Sequence, residues 1–279
     1  MINNKEAFEK FNQLKSLLKK LKKCTVAFSG GVDSTFLTMT LKDIFKEDFL
    51  AIFVSSPLVP GSEEKDAIKW LNKNKINHKI ISYDPLTIPE FYNNPPDRCY
   101  YCKREIFTLI KNVATHENFP VVVEGTNLDD MQDYRPGLKA LEELNIISPL
   151  KEVSLKKDEI RFLSKEVYHL KYYNRPSTAC LATRIPYFQE ITKEKLLKIE
   201  KIEETLNNLG FTLYRARHHG DILRLELPVE DFNRIISKNN LEKVNKVAKE
   251  LGFKYITLDL EGYSKGKLNQ SIKTDKINS

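Results

Sequence analysis

Cysteine is scarce in this chain: four in 279 residues. That is too few for a disulfide scaffold, and a chain of this length buries a sizeable core without staples. Glycine (10) and proline (12) are also sparse, which excludes a collagen-like or low-complexity polymer. No apolar run approaches a membrane span, the longest being of the kind seen at Phe49 to Val54. The N-terminal stretch is polar and helical in pattern, without the apolar segment of a secretory signal. These absences lead us to expect a cytoplasmic protein with reduced thiols and no membrane partner. What is present is ordinary globular material, 41% hydrophobic and 30% charged, of a length that fits about two domains. Lysine and arginine exceed aspartate and glutamate by 45 to 38, a formal charge of +7. The surplus favours anionic partners such as nucleotides, phosphorylated metabolites or RNA, and is equally the mark of a lysine-rich solvated surface.

Strands and helices alternate along the first half. A helix carrying Phe8, Leu14, Leu17, Leu18 and Leu21 precedes a buried strand at Thr25 to Phe28. A second strand is expected at Phe49 to Val54, a helix capped by Ser62 from there to Asn74, and a third strand at His78 to Tyr83. The proline-rich stretch from Asp84 to Asp97 reads as a loop leading to a helix that ends near His116. A fourth strand lies at Val121 to Glu124, a helix at Pro136 to Leu144 and a short strand at Ile146-Ile147. This order predicts an α/β fold, a parallel sheet covered on both faces with ligands at the strand ends. From about residue 186 the pattern becomes α+β. It has a helix at Ile191 to Leu209, strands at Phe211 to Arg217 and Ile222 to Leu227 around a turn at His218 to Asp221, two further helices, and a strand at Tyr255 to Leu258. We expect domains at 1–185 and 186–279, with a frayed tail after Gly262.

The most informative segment is Ser29-Gly30-Gly31-Val32-Asp33-Ser34, between strand and helix. Two glycines allow a tight turn that presents backbone N–H groups, the helix adds the positive end of its dipole, and the serines add hydroxyls. Such a loop cradles phosphate. It is neither G-x-x-x-x-G-K-[ST] nor G-x-G-x-x-G, and its bland alternative is a turn with Asp33 or Ser34 as N-cap. Cys99-Tyr100-Tyr101-Cys102-Lys103 puts two thiols one turn apart at a helix start, where the dipole lowers thiol pKa. Taken alone, the pair is compatible with redox activity, half a zinc site, part of an iron–sulfur site, or none of these. Cys180 lies in a loop-like junction, and Cys24, beside the first strand, reads as packing. Arg215 and Arg217, two apart on a strand, share a face suited to carboxylate and phosphate, or pair with Glu226 across the hairpin.

The hexapeptide resembles the loop of the PP-loop ATP pyrophosphatase superfamily. Three longer segments, RCYYCKREIF, EGTNLDDMQDYRPGLKALEELNIISPL and PSTACLATRIPY, with the later YRARHHGDILRLE, resemble the LarE family, sulfur-inserting enzymes of nickel-pincer nucleotide synthesis. The likeness spans nearly the whole chain. It implies ATP cleavage between the α and β phosphates, adenylation of a carboxylate of pyridinium-3,5-biscarboxylic acid mononucleotide, and replacement of carboxylate oxygen by sulfur. By that resemblance Ser29, Gly30, Gly31, Val32, Asp33 and Ser34 hold pyrophosphate, with Asp33 near Mg²⁺. Val54 and Ser55 meet adenine and Lys103 helps hold pyrophosphate; read from the residues themselves, the strand-end Gly125 admits close backbone approach to a ligand, and Asn127 and Asp130 suit nucleotide or metal. Asp129 would assist there or cap the next helix. Arg184, Arg215, Arg217 and, more loosely, Glu203 face the substrate, while His218 and His219 belong to the turn or surface.

In one branch of the family a cysteine matching Cys180 surrenders its own sulfur; that branch lacks the C-x-x-C pair. The pair here favours a related branch, in which Cys99, Cys102 and Cys180 ligate three irons of a [4Fe–4S] cluster whose fourth iron carries a sulfide. Zinc lacks a fourth ligand of the usual type near the pair. The family also implies a homo-oligomer, for which the C-terminal domain is the candidate interface, and a sulfide donor is expected as a partner. A tRNA thiolation enzyme is the main alternative, but no RNA-binding accessory motif is present, so no nucleic-acid partner is expected. A non-catalytic nucleotide-binding module would leave the cysteines unexplained.

Overall fold

The computed structural model describes residues 3–132, 136–171, 173–174 and 179–269. Its chain divides into two compact units, 1–84 with 97–178, and 85–96 with 179–279.

In the first unit α1 (Asn4–Lys19), β1 (Cys24–Phe28), α2 (Val32–Phe45), β2 (Leu50–Ser55), α3 (Gly61–Lys73) and β3 (His78–Ser82) follow in order. After the excursion through 85–96, which carries α4 (Pro89–Tyr92), come α5 (Arg98–His116), β4 (Val121–Val123), α6 (Gly137–Glu143), α7 (Pro149–Glu152) and α8 (Lys157–Glu166). Among the described residues these strands form a four-stranded parallel sheet in the order β3-β2-β1-β4. β1 is central and buried, which is why it reads as continuous Val-Ala-Phe rather than alternating. One face is packed by α1, α2 and α8 through Phe11, Leu14, Phe36, Leu37, Ile160 and Leu163. The other is packed by α5 and α6 through Phe107, Ile110, Ala114 and Leu141. The chain steps from β1 outward to β2 and β3, then returns to the far side of β1 as β4. The order therefore reverses between β1 and β4, and the crevice at their C-terminal ends is where such sheets bind ligands.

The second unit contains α9 (Lys193–Asn208), β5 (Arg215–His219), β6 (Ile222–Glu226), α10 (Phe232–Ile235), α11 (Lys238–Glu250) and β7 (Tyr255–Leu258). β5 and β6 form an antiparallel hairpin and β7 lies parallel to β6. Ile202 and Leu206 of α9, and Val244 and Ala248 of α11, cover the face carrying Ala216, Leu223 and Leu225. The opposite face carries Arg215, Arg217, Arg224 and Glu226, as alternation along the strands requires. Segment 85–96 belongs here because Asn94 is buried and its amide donates to the carbonyls of Ile185 (3.3 Å), Pro186 (2.7 Å) and Gln189 (3.0 Å).

Several expectations need correction. α3 is capped at Pro60 rather than Ser62, without a side-chain hydrogen bond. The 84–97 stretch holds a 3₁₀ turn and α4, since Pro89 at a first helical position suits a helix start. Ile147 makes only a single parallel bridge, to Val123. α8 has no counterpart among the elements expected from the sequence. The chain up to Asn269 is anchored, because buried Lys267 reaches both Asp259 (2.8 Å) and Glu261 (3.0 Å); 270–279 lie outside the described residues.

His218 and His219 are on β5, the turn being Gly220-Asp221 alone. The His218 ring is buried edge-on against Phe253, centroids 5.2 Å apart. Burial, helped by Lys195 and Lys198, pulls its pKa from 6.5 to about 4. A histidine depressed in the folded state contributes stability that is full above about pH 6.5 and lost as pH falls toward 4. We expect acid destabilisation on the order of 2–3 kcal/mol across that window from this residue, abolished in His218→Phe. Urea midpoints at pH 7 and pH 4.5 for both proteins check this.

Candidate functional site

β1 ends at Phe28, and the chain turns through Ser29-Gly30-Gly31 into α2. Ser29 and Gly31 are exposed, so the loop opens to solvent. Its shape is fixed from within. The Ser29 N–H donates to Ser34 Oγ (3.2 Å), the two serine hydroxyls lie 3.1 Å apart, and Ser34 Oγ donates to the Gly31 carbonyl (3.0 Å). Gly30 has φ of +76°, the left-handed region that favours glycine. Gly125, just past β4, lies so close that a Cβ there would stand 3.0 Å from the Ser34 nitrogen and 3.3 Å from the Asp33 carbonyl carbon. The reversal of strand order thus brings Ser29, Gly30, Gly31, Val32, Asp33, Ser34 and Gly125 together.

Asn127 organises the next turn. Its Oδ1 accepts from the N–H groups of Asp129 (3.0 Å) and Asp130 (3.3 Å), and its own N–H donates to Asp130 Oδ2 (3.2 Å). Asp129 Oδ2 accepts from the Lys157 N–H at 2.7 Å, so this acid caps α8 rather than the turn that follows it. Beneath the turn, buried Glu124 accepts from the Thr126 N–H (3.0 Å) and hydroxyl (2.8 Å) and from the Ser148 hydroxyl (2.5 Å). Ser55, at the end of β2, donates to Glu64 (2.8 Å).

Asp33 is paired with Lys157 Nζ through Oδ2. Its Oδ1 is buried without a hydrogen-bond partner. Burial raises the Asp33 pKa, opposed by Lys157, with Asp130 adding to the rise and Arg161 opposing it. Lys157 is the site residue that sequence reasoning missed. The available signal was Leu155, Ile160, Leu163 and Val167 at helical spacing, with Asp158 and Glu159 in the first turn.

Cys99 and Cys102 occupy the first turn of α5, Cys99 half-buried and Cys102 buried, followed by half-buried Lys103 beside the start of α6. Tyr83, its hydroxyl buried, is pushed up in pKa by burial and by Cys102. All four cysteines are thiols. Cys24 is fully buried in β1, its pKa pushed up to about 12 by burial, as a packing role predicts.

Cys180 is half-buried in the second unit, directly before a 3₁₀ turn at Leu181–Arg184. Arg184 is 1% exposed and binds Glu203 by two bonds, Nε–Oε1 and Nη2–Oε2, each 2.9 Å. Its remaining arm donates to the carbonyls of Ala179 and Cys180 (3.0 Å) and to Thr183 Oγ1 (3.0 Å). Arg217 is bidentate to Glu226 (2.9 and 2.8 Å) and donates to the Thr183 carbonyl (2.6 Å). The cross-strand pair thus forms with Arg217, although Arg215 is the residue opposite Glu226 in register. Arg215 lies over the Tyr263 ring at 5.2 Å, its pKa lowered by burial and by Arg184. Arg217, His219, Arg224, Asp259 and Lys267 line a cavity of about 590 Å³ in this unit.

Among the described residues no group of three or more His, Cys, Asp and Glu assembles as a metal site, and no helix is long and apolar enough to cross a membrane. Residues 133–135 of the long motif and 176–178 before Cys180 lie outside the described residues.

A parallel sheet with an exposed glycine loop and a strand-end glycine meeting at its reversal point defines a nucleotide-binding unit of the PP-loop type. No family profile matches the chain. An uncharacterised protein of Synechocystis sp. is 34% identical over 266 residues, 94% of this chain and 98% of its own. The pyridinium-3,5-bisthiocarboxylic acid mononucleotide synthase of Lactiplantibacillus plantarum is 33% identical over 260 residues, 93% of each chain. A component of the glutamine-hydrolyzing GMP synthase of Methanococcus maripaludis is 24% identical over 238 residues, 76% of this chain and 74% of its own. The chain belongs to the pyridinium-3,5-bisthiocarboxylic acid mononucleotide synthase family, the LarE family. It is an ATP-dependent sulfurtransferase by class.

Proposed function

We propose that the protein adenylates the carboxylates of pyridinium-3,5-biscarboxylic acid mononucleotide and converts them to thiocarboxylates. The observation that carries this is the meeting of Ser29–Ser34 with Gly125 at the sheet's reversal point, in a chain related over 93% of its length to a synthase of that name. A carboxylate oxygen attacks the α-phosphorus of ATP, the α–β bridging bond breaks and pyrophosphate leaves. A sulfur nucleophile then forms a C–S bond at the acyl carbon, and AMP departs with the oxygen. The loop N–H groups and the start of α2 receive the pyrophosphate, assisted by Lys103. Val54 and Ser55 border the adenine, while Asn127 and Asp130 shape the turn beside it. Asp33 fits Mg²⁺, because one buried carboxylate oxygen lacks a partner and this ion ordinarily takes its other ligands from phosphate and water.

Sulfur is the finer question. We infer that Cys99, Cys102 and Cys180 would hold a [4Fe–4S] cluster, which when bound supplies a transferable sulfide on its fourth iron. Three thiols, two of them at one helix start, match the donor set. A second reading, in which Cys180 gives up its own sulfur, is favoured by the thiol's half-buried place in the loop directly before the 3₁₀ turn at Leu181–Arg184. Arg184, Glu203, Arg215 and Arg217 act on the substrate side in both readings, either at its phosphate and carboxylates or by shaping the surface that meets them. We place ATP chemistry in residues 1–185, binding of the small-molecule substrate and homo-oligomer contacts in 186–279, and the protein in the cytoplasm with a sulfide donor as partner.

Anaerobic purification followed by iron and acid-labile sulfide counts tests the cluster. About four irons and four sulfides per chain are expected, with loss of iron and retention of fold in Cys99→Ser. Iron unchanged in Cys99→Ser overturns the cluster assignment. Conversion of Cys180 to dehydroalanine after a single turnover supports the second reading.

A further inference from the structure

Asp33 has two carboxylate oxygens in unlike circumstances. Oδ2 is paired with the Lys157 ammonium, and Oδ1 is buried with no hydrogen-bond partner. Both side chains of the pair are about four-fifths buried, with exposures of 19% and 20%. The base of Lys157 is fixed. Its N–H is held by Asp129 (2.7 Å), the preceding N–H by Glu159 (2.8 Å), and Glu159 in turn by Lys10 (2.8 Å). Only the four-carbon stem is left to move. Arg161, one turn further along α8, also acts on Asp33, and its Nε is buried without a hydrogen-bond partner. The start of α8 therefore brings two cations to the acidic end of the phosphate loop.

Resting on the reading of this loop as a Mg²⁺·ATP site, we propose that Lys157 is a phosphate-binding residue that shares Asp33 with the metal. The lysine and a divalent cation are alternative counter-ions of one carboxylate. A cation approaching Oδ1 meets the neighbouring ammonium and is repelled, so metal alone binds weakly. The polyphosphate of ATP offers the ammonium a better partner, a charge-assisted contact to a phosphate oxygen. Lys157 then swings away from Asp33, and the metal takes the carboxylate. Metal and nucleotide consequently bind with positive coupling through this side chain.

The test titrates Mn²⁺, as an EPR-visible stand-in for Mg²⁺, and ATP, separately and together, against the full-length protein and Lys157→Gln. The glutamine keeps a donor for Asp33 without the charge. Lys157→Met serves as a second neutral variant, and thermal unfolding checks that each is folded. In the neutral variants Mn²⁺ alone is expected to bind about tenfold more tightly and Mn²⁺·ATP about tenfold more weakly, shifts of opposite sign. Lys157→Arg, which keeps the charge, should leave Mn²⁺ affinity within about twofold of the parent. Affinities unchanged in the neutral variants, or both moved in one direction, overturn the proposal while leaving the ATP site standing. Failure of the unmodified protein to bind Mn²⁺·ATP overturns that underlying reading too.

Discussion

Glu203→Ala is expected to lower the unfolding free energy by about 3–5 kcal/mol, the range for leaving one charge of a buried pair without its partner. Glu203 receives both forks of Arg184 at 2.9 Å and also the Ala216 N–H at 3.1 Å. Removing the carboxylate strands a guanidinium that is 1% exposed and frees a strand amide of β5. Glu204, one residue on, forms an exposed pair with Lys201 at 3.1 Å, and its alanine variant should change stability by no more than about 0.5 kcal/mol. Urea denaturation of the two variants makes the contrast. The Arg184 arm not used by Glu203 holds the carbonyls of Ala179 and Cys180, so Glu203→Ala should also loosen the backbone at Cys180. Faster alkylation of that thiol, with Cys99 and Cys102 unchanged, is the expected local sign.

Gly125→Val is the second large effect. Even one added carbon stands 3.0 Å from the Ser34 nitrogen and 3.3 Å from the Asp33 carbonyl carbon, and neither backbone atom can yield as the tip of a side chain would. The first turn of α2 must shift, and with it the amides and Asp33 carboxylate that the phosphates need. Displacements near 1 Å in such a site cost on the order of a hundredfold in rate, so pyrophosphate formation from ATP should slow by about that much. Stability should fall far less, because the packing under the sheet is untouched. The rate of pyrophosphate formation together with thermal unfolding separates the two; a loss of fold that accounts for the loss of rate would show that Gly125 serves folding.

The parallel sheet, the glycine loop and the C-terminal α+β hairpin are legible in the sequence because each has a local cue. Thr25 to Phe28 is a buried run, Gly30-Gly31 a turn, and Tyr255 to Leu258 a short strand that the structure reproduces to the residue. α8 has a weaker cue: ten residues, with a charged Lys-Lys-Asp-Glu start that reads as surface. Losing that helix also hid Lys157, since its pairing with Asp33 is a contact across 124 residues that no local pattern encodes. The two histidines look like a turn because Gly220-Asp221 follows them, yet the hairpin needs only those two residues and keeps His218 and His219 in β5. Arg184 and Arg217 read as cations open to a substrate. The occupation of Arg184 by Glu203 is a tertiary fact, visible only once α9 is placed, whereas the Arg217–Glu226 pair is the alternative that the hairpin sequence itself offers.

Incubating the protein with ATP, Mg²⁺ and pyridinium-3,5-biscarboxylic acid mononucleotide, and following pyrophosphate and AMP with the mass of the nucleotide product, tests the account most directly. It predicts pyrophosphate and AMP released only when the dicarboxylate is present, with thiocarboxylate product once a sulfur source is supplied. Release of ADP and phosphate, or pyrophosphate formation independent of the dicarboxylate, would contradict it.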